Sequence, residues 1–129
     1  MSKYKSVKVM THSGEVFDSR KEAQRFLVLK AMEKAGEIRD LKRQVRFELI
    51  PTQREVSGSI YKRGPRKGQL KPGKVIEQPA YYSADFTYID CKTGELIVED
   101  CKSDATKTKD YVLRRKLMLY FHGIRIKET

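Results

Sequence analysis

Two apolar segments, "AYYSADFTYID" (80–90) and "ELIVEDCKS" (95–103), lie on either side of the short stretch "CKTG". Both have the aromatic and β-branched composition of strands, and a gap that short is a hairpin gap. A symmetric turn opposes Asp90 and Glu95. Stepping outward five residues along each strand then opposes Asp85 and Asp100 on one face, with Cβ atoms about 4.5–5.5 Å apart. Lys102, two residues beyond Asp100, shares that face. A turn one step longer or shorter shifts the register but keeps the two acids diagonal neighbours. Glu99 points to the other face and stays outside the group, although a bulge at the strand end would exchange it with Asp100.

Two carboxylates held side by side repel, which makes them a poor structural choice in a strand pair. A bridging divalent cation removes the difficulty. Mg²⁺ suits hard oxygen donors and keeps several waters, so two carboxylates and a substrate phosphate match it, with Mn²⁺ as a substitute. In such a site the cation activates water towards phosphorus, and Lys102 orients that water or offsets charge on the phosphate. The competing reading is a surface strand pair in which Lys102 merely neutralises Asp85 or Asp100.

The rest of the chain supplies a frame for this hairpin. "SVKVM" and "EVF", joined through "THSG", read as two short β pieces. "DSRKEAQRFLVLKAMEKAGEI" places Ala23, Phe26, Leu27, Val28, Leu29, Ala31, Met32 and Ala35 on a broad apolar helix face, with Gly36 as C-cap. "LKRQVRFELIP" alternates at Val45, Phe47 and Leu49 and reads as a strand. After the hairpin, "TKTKDYVLRRKLMLYFHG" is an amphipathic helix ended by Gly123, and "IRIKE" is a final short strand. The order predicts an α/β fold: a mixed central β-sheet flanked by helices.

Residues 51–79 stand apart. They hold all four prolines and four of the eight glycines, and Arg54, Lys62, Arg63, Arg66, Lys67, Lys71 and Lys74 face only Glu55 and Glu77. This composition predicts a basic loop or protruding hairpin inserted into one domain spanning 1–129. The whole chain of 129 residues has a formal net charge of +11. An excess of that size points to a polyanionic partner, nucleic acid first.

No apolar run approaches the length of a membrane span, and "MSKYKSVKVM" lacks the apolar core of a secretory signal, so a cytoplasmic location is expected. Cys91, Cys101, His12 and His122 lack zinc-site spacing and read as free thiols and ordinary imidazoles. Glycine-rich phosphate loops and nucleophile-elbow or Cys–His patterns are missing. Any catalysis must then come from carboxylates, lysine and a metal.

Glu22 is a further candidate. Ser19 stands three residues before it, a capping-box spacing that by itself favours a helix-cap role. Glu22 also lies one turn before Phe26, on an edge from which it can reach the sheet.

Taken in order, the helix with "S-x-x-E", the strand, "AD", "D-x-K" and the second helix resemble the PD-(D/E)XK nuclease superfamily, with its restriction-endonuclease-like core. More closely, "FDSRKEAQRFLVLKAMEKAGEIRDLKRQVRFELIP", "YYSADFTYID" and "IVEDCKS" resemble a family of small phage and prophage proteins catalogued as domain of unknown function 1064. The resemblance spans residue 14 to about residue 126. It implies metal ligands at Asp85 and Asp100, a catalytic Lys102, an assisting Glu22 and a polar site neighbour at Gln44. Ala84 stands where the superfamily name has proline, and Asp100 where glutamate is commoner.

The resemblance implies a Mg²⁺-dependent endodeoxyribonuclease in a phage or its bacterial host, and junction resolution is frequent among small phage nucleases of this fold. A resolvase needs two active sites, hence a homodimer. DNA contacts are expected from Lys62, Arg63, Arg66 and Lys67 in the insertion and from Arg114, Arg115 and Lys116 on the last helix. No base-reading pattern is evident, which favours selectivity for branched structure over sequence. The alternatives are a non-catalytic DNA-binding module on the same fold and a protein acting on RNA, with Tyr61, Tyr81 and Tyr82 stacking on bases.

Overall fold

The computed structural model describes residues 8–11 and 14–129. His12, within the expected "THSG" turn, lies outside the described residues. The first strands, β1 (Val9–Met10) and β2 (Val16–Phe17), pair antiparallel.

Helix α1 covers Arg20–Lys34. It starts where Ser19, in an extended conformation, caps the backbone N–H of Glu22 with its side chain. It ends at Ala35, and Gly36 follows with φ 79°, the left-handed conformation that closes a helix and that glycine adopts without strain. The buried face is narrower than the sequence suggests. Ala23, Phe26 and Leu29 are buried, but Leu27 and Val28 are 56% and 49% exposed. Four adjacent apolar residues span more than one face of a helix, so they cannot all turn inward.

Strand β3 (Ile38–Ile50) runs into the 48–81 segment and β6 (Ala80–Asp90) follows from it. With β7 (Leu96–Asp100) and β8 (Lys127–Glu128) they form a four-stranded sheet ordered β3-β6-β7-β8. β6 and β7 run antiparallel, β7 and β8 parallel, so the sheet is mixed, as expected. The tight turn between β6 and β7 is fixed locally. Asp90 N–H donates to the Glu95 carbonyl at 3.0 Å, Gly94 takes φ 75°, and the Asp90 carboxylate accepts from Lys92 N–H at 2.8 Å. The register follows: Phe86 opposes Glu99 and Ile89 opposes Leu96, the pairing expected from the symmetric turn.

The two helices cover opposite faces of the sheet. Phe17, Ala23, Phe26, Leu29, Ile38, Phe86 and Tyr88 form one core cluster, with Ile97 and Cys101 packed against it. By strand alternation Lys102 faces the other way. It meets helix α2 (Lys109–His122), where its ammonium lies 4.8 Å from the Tyr111 ring centre. Thr108 caps α2 and Gly123, at φ 66°, ends it. Cys91 and Cys101 are both free thiols. Among the described residues no helix is long and apolar enough to cross a membrane.

Two compact units can be distinguished in the chain: residues 1–47 with 82–129, and residues 48–81. The second unit is the basic insertion, slightly longer than its composition indicated. It is a hairpin. β4 (Gln53–Arg54) pairs antiparallel with β5 (Val75–Glu77), and Ile60 bridges Leu70 further out. Gly73 permits the close pairing, since a Cβ there would stand 1.7 Å from the Glu55 carbonyl oxygen.

On the α1 side of the sheet, Glu99 is fully buried. Arg25 grips both its oxygens, at 2.8 and 2.7 Å, and the Tyr88 hydroxyl donates to it as well. This contact pushes Arg25 further above its ordinary range. Removing one partner of such a pair strands the other charge in the interior. Arg25→Ala is therefore expected to lower unfolding stability by about 3–5 kcal/mol in urea denaturation. Arg25→Met with Glu99→Leu, which removes both charges, is expected to cost far less. Equal losses for the two variants would show that the pair carries no such burden.

Candidate active site

The far end of the β6–β7 hairpin gathers the acids singled out in the sequence. Beyond the last ladder pair, Phe86 with Glu99, the backbone N–H of Cys101 donates to Asp85 Oδ2 at 2.9 Å. This bond ties the Asp85 side chain to the strand that carries Asp100. Asp100 is only 3% exposed. Its Oδ2 accepts from the Tyr82 hydroxyl at 2.8 Å and lies 3.9 Å from Lys102 Nζ. The surface ion-pair alternative is thus met only in form, because the carboxylate of the pair is buried.

Burial pushes the Asp100 carboxyl up, and a hydrogen bond with Asp85 together with its negative charge pushes it the same way. Lys102 and Tyr82 work against that shift without cancelling it. Lys102 is itself held in place. Its ammonium sits over Tyr111, whose hydroxyl donates to Glu128 at 2.9 Å, and its backbone carbonyl accepts from Lys21 Nζ at 3.1 Å.

Glu22 comes to the same place from α1. It is 4% exposed, and its carboxyl is pushed up to about 7, first by burial and then by the charge of Asp85. Ser19 makes its half of the capping box, but the Glu22 side chain is directed into the site, where Gln44 Nε2 donates to Oε1 at 3.1 Å. The same Gln44 nitrogen lies 3.4 Å from Asp85 Oδ1, while Gln44 Oε1 accepts from the Ser83 hydroxyl at 3.3 Å. One amide thereby links two acids that would otherwise only repel.

Gln44 reaches this position because its backbone has φ 50°, a left-handed conformation in the middle of β3. Alternation is broken there. Leu41 packs on the α1 core and Arg43 stacks 3.7 Å from the centre of the Phe17 ring, whereas Phe47 meets His122 of α2. Residues of one parity thus serve opposite faces on either side of Gln44, as a bulge-like irregularity allows.

Glu99 takes no part in this group, since Arg25 and Tyr88 hold it on the other face. Tyr82 is a site residue that sequence alternation missed. Counted from Phe86 it belongs with the α1 core, yet its hydroxyl is on Asp100. Of the basic trio on α2, Arg114 pairs with Asp110 at 3.0 Å and Arg115 with Glu128 at 3.3 Å, while Lys116 is exposed. Lys62, Arg63, Arg66 and Lys67 are exposed in the separate hairpin unit.

Among the described residues no three His, Cys, Asp or Glu side chains converge as a complete metal cage. The Asp85–Asp100 pair does match a hard divalent cation that takes its remaining ligands from water or substrate. Its donors are carboxylate oxygens, and the mutual repulsion of the pair favours a positive charge beside it.

The raised carboxyls set a direction for stability. Between its ordinary pKa of 4.5 and about 7, Glu22 binds more proton in the folded than in the unfolded chain, and Asp100 shifts the same way. Metal-free stability must then fall as pH rises through this window. Denaturant midpoints are expected to be higher at pH 5 than at pH 8 in EDTA. Asp85→Asn, which removes a charge that raises both groups, is expected to narrow that gap. A gap equally wide in Asp85→Asn would contradict the coupling.

No curated protein and no solved structure matches the chain. A family does match it, over residues 1–127, nearly the whole length. The chain belongs to that family, whose description is protein of unknown function (DUF1064).

Proposed function

We propose that the protein is a Mg²⁺-dependent endodeoxyribonuclease of the PD-(D/E)XK type, selective for branched DNA and acting as a homodimer in the cytoplasm. The observation that carries this reading is the Asp85–Asp100 pair, Asp100 buried and Asp85 half-buried, with Lys102 3.9 Å from Asp100 and with Glu22 joined to Asp85 through Gln44. Two neighbouring acids, one of them buried and incompletely paired by a lysine two residues on, are costly for stability alone. They suit hydrolysis of a phosphodiester, in which water attacks phosphorus and one P–O bond breaks to leave a phosphate and a hydroxyl.

Asp85 and Asp100 would hold the divalent cation, with Mn²⁺ able to replace Mg²⁺; the cation would supply Lewis-acid activation of the phosphate and the water. Tyr82 fixes Asp100 Oδ2, and the Cys101 N–H fixes Asp85 Oδ2, so the two carboxylates are oriented before substrate arrives. Lys102 offers positive charge to the phosphate oxygens as negative charge builds on them. Glu22, raised to about 7, can accept a proton on its carboxylate near neutral pH.

The deciding experiment offers linear duplex, single strand, fork and four-way junction with Mg²⁺, Mn²⁺ or EDTA. Metal-dependent cutting, strongest on the junction, is expected. Asp85→Asn and Asp100→Asn are expected to abolish it, and Mg²⁺ to raise the wild-type melting temperature at pH 8 but not that of Asp85→Asn. Lys102→Ala is expected to bind DNA yet cut about 10²–10³-fold more slowly. Normal cutting by either aspartate variant would overturn the assignment.

Junction resolution requires two cuts related by a two-fold axis, and each chain carries one such cluster. Mass measurement in solution is expected to give twice the 15.0 kDa of one chain. A monomer that cuts junction and linear duplex alike would leave the nuclease standing and remove the junction role. A protein that binds DNA with no cutting under any metal would favour the DNA-binding module instead.

A further inference from the structure

The hairpin unit invites a closer reading, because its apex is built rather than merely basic. Ile60 pairs with Leu70, and the Tyr61 N–H donates to the Gln69 carbonyl at 2.9 Å, so the two limbs meet around a centre at Pro65. The Lys67 N–H donates to the Gly64 carbonyl at 3.1 Å, closing a β-turn in which Pro65 occupies the second position. Proline is preferred there because its ring already fixes the required φ. A second turn follows, with the Gln69 N–H on the Arg66 carbonyl at 2.9 Å and Gly68 at φ 88°. The exposed tip is thus a rigid apolar ring with Arg63 and Arg66 beside it and Lys62 and Lys67 next to those.

The limbs add to this. Arg66 and Lys71 both lie 5.9 Å from the centre of the Tyr61 ring, so their charges are held along the ribbon near the tip. Apolar side chains exist, but behind the charges: Ile60 and Leu70 come after the tip residues, and Val56 and Ile76 further back. A hairpin built to enter lipid would lead with its apolar residues and keep its cations at the headgroups. Here the cations lead together with one proline, an arrangement that suits a phosphate-lined groove.

We propose that the 48–81 hairpin is a DNA-deforming arm. Its basic limbs would follow the phosphates of the minor groove, and Pro65 would enter a base step as a wedge. Minor-groove proteins insert such apolar side chains, proline among them, and kink the duplex by partial unstacking. Flexible pyrimidine–purine steps, nicks and junction centres are the cheapest places to insert one. The inference rests on the DNA-binding part of the proposed function and explains a preference for distorted DNA without base-specific contacts.

The test is carried out in EDTA with the full chain, so that cutting plays no part. Duplexes with a central TA step or a nick carry 2-aminopurine beside the step and a donor–acceptor pair at their ends. Wild type is expected to raise 2-aminopurine fluorescence and shorten the end-to-end distance. Pro65→Ser is expected to bind with an unchanged salt slope but to lose both signals, while Pro65→Leu, which restores an apolar wedge, recovers them. The four-site variant Lys62→Ala, Arg63→Ala, Arg66→Ala, Lys67→Ala is expected to lower the slope of log K against log salt by about three to four, at about 0.9 per lost phosphate contact.

Wild type that binds without bending, or Pro65→Ser that bends as wild type does, overturns the proposal. Displacement of the tip by a minor-groove-filling polyamide supports it, and indifference to that competitor counts against it. Binding to phosphatidylglycerol vesicles in preference to DNA would assign the arm to a membrane surface instead. Bending without cutting in Mg²⁺ would keep this inference and remove the nuclease; cutting without bending would do the reverse.

Discussion

Strand alternation allows only one of two adjacent acids to face a given side of a sheet. At the end of β7, Glu99 and Asp100 are such neighbours, and the β6–β7 register decides which does what. A slip of one residue would send every side chain of the strand to the opposite face. Glu99 would lose Arg25 and Tyr88, and Asp100 would lose Tyr82 and its place beside Asp85. The turn at Asp90–Glu95, with its carboxylate cap and left-handed Gly94, holds the register against that slip. The site therefore depends on a turn some distance along the hairpin that touches none of the acids it positions.

The two carboxylates are treated in opposite ways. Glu99 receives a full guanidinium and a hydroxyl, which balance its charge and its lone pairs. Asp100 receives one hydroxyl and a lysine at the limit of an ion pair, while a second acid stands close by. Burial is nearly the same for both, so burial alone does not distinguish a satisfied acid from an unsatisfied one. The partners do. A charge that is fully paired stabilises the core, whereas a charge left wanting raises its own pKa and favours an incoming cation.

The sheet and this contrast were legible in the sequence to different degrees. The hairpin register could be read because the turn is short and both strands keep their period up to the ladder's end. Gly36 and Gly123 marked the helix ends correctly, since few other residues take a left-handed backbone cheaply. Gln44 could not be placed by spacing, because φ 50° in mid-strand breaks the period on which spacing relies. Tyr82 was hidden for the related reason that alternation from Phe86 assigns it to the wrong side. Arg25 pairs with a residue 74 positions away, and no local pattern announces such a partner. Proline and glycine in 51–79 left loop and hairpin both open, and the segment is a hairpin: Pro65 forms its apex turn, and Gly73 lets its limbs approach.

The distribution of charge poses a last problem, and its solution binds the two units to one purpose on the proposed reading. A polyanion brought to Asp85, Asp100 and Glu22 meets three acids of its own sign. Lys102 alone cannot balance them, because Asp100 remains raised despite its presence. Approach must therefore be driven from elsewhere, by basic side chains that no acid has already claimed. On α2, Arg114 and Arg115 are engaged with Asp110 and Glu128. The hairpin tip differs, since between Tyr61 and Leu70 the sequence has four cations and no acid. Long-range attraction would come from that unit, and local compatibility at the acids from a divalent cation shared with the phosphate. On the proposed reading, separating the two tasks would let the acids stay unpaired enough to take a metal without forfeiting the attraction that brings the substrate.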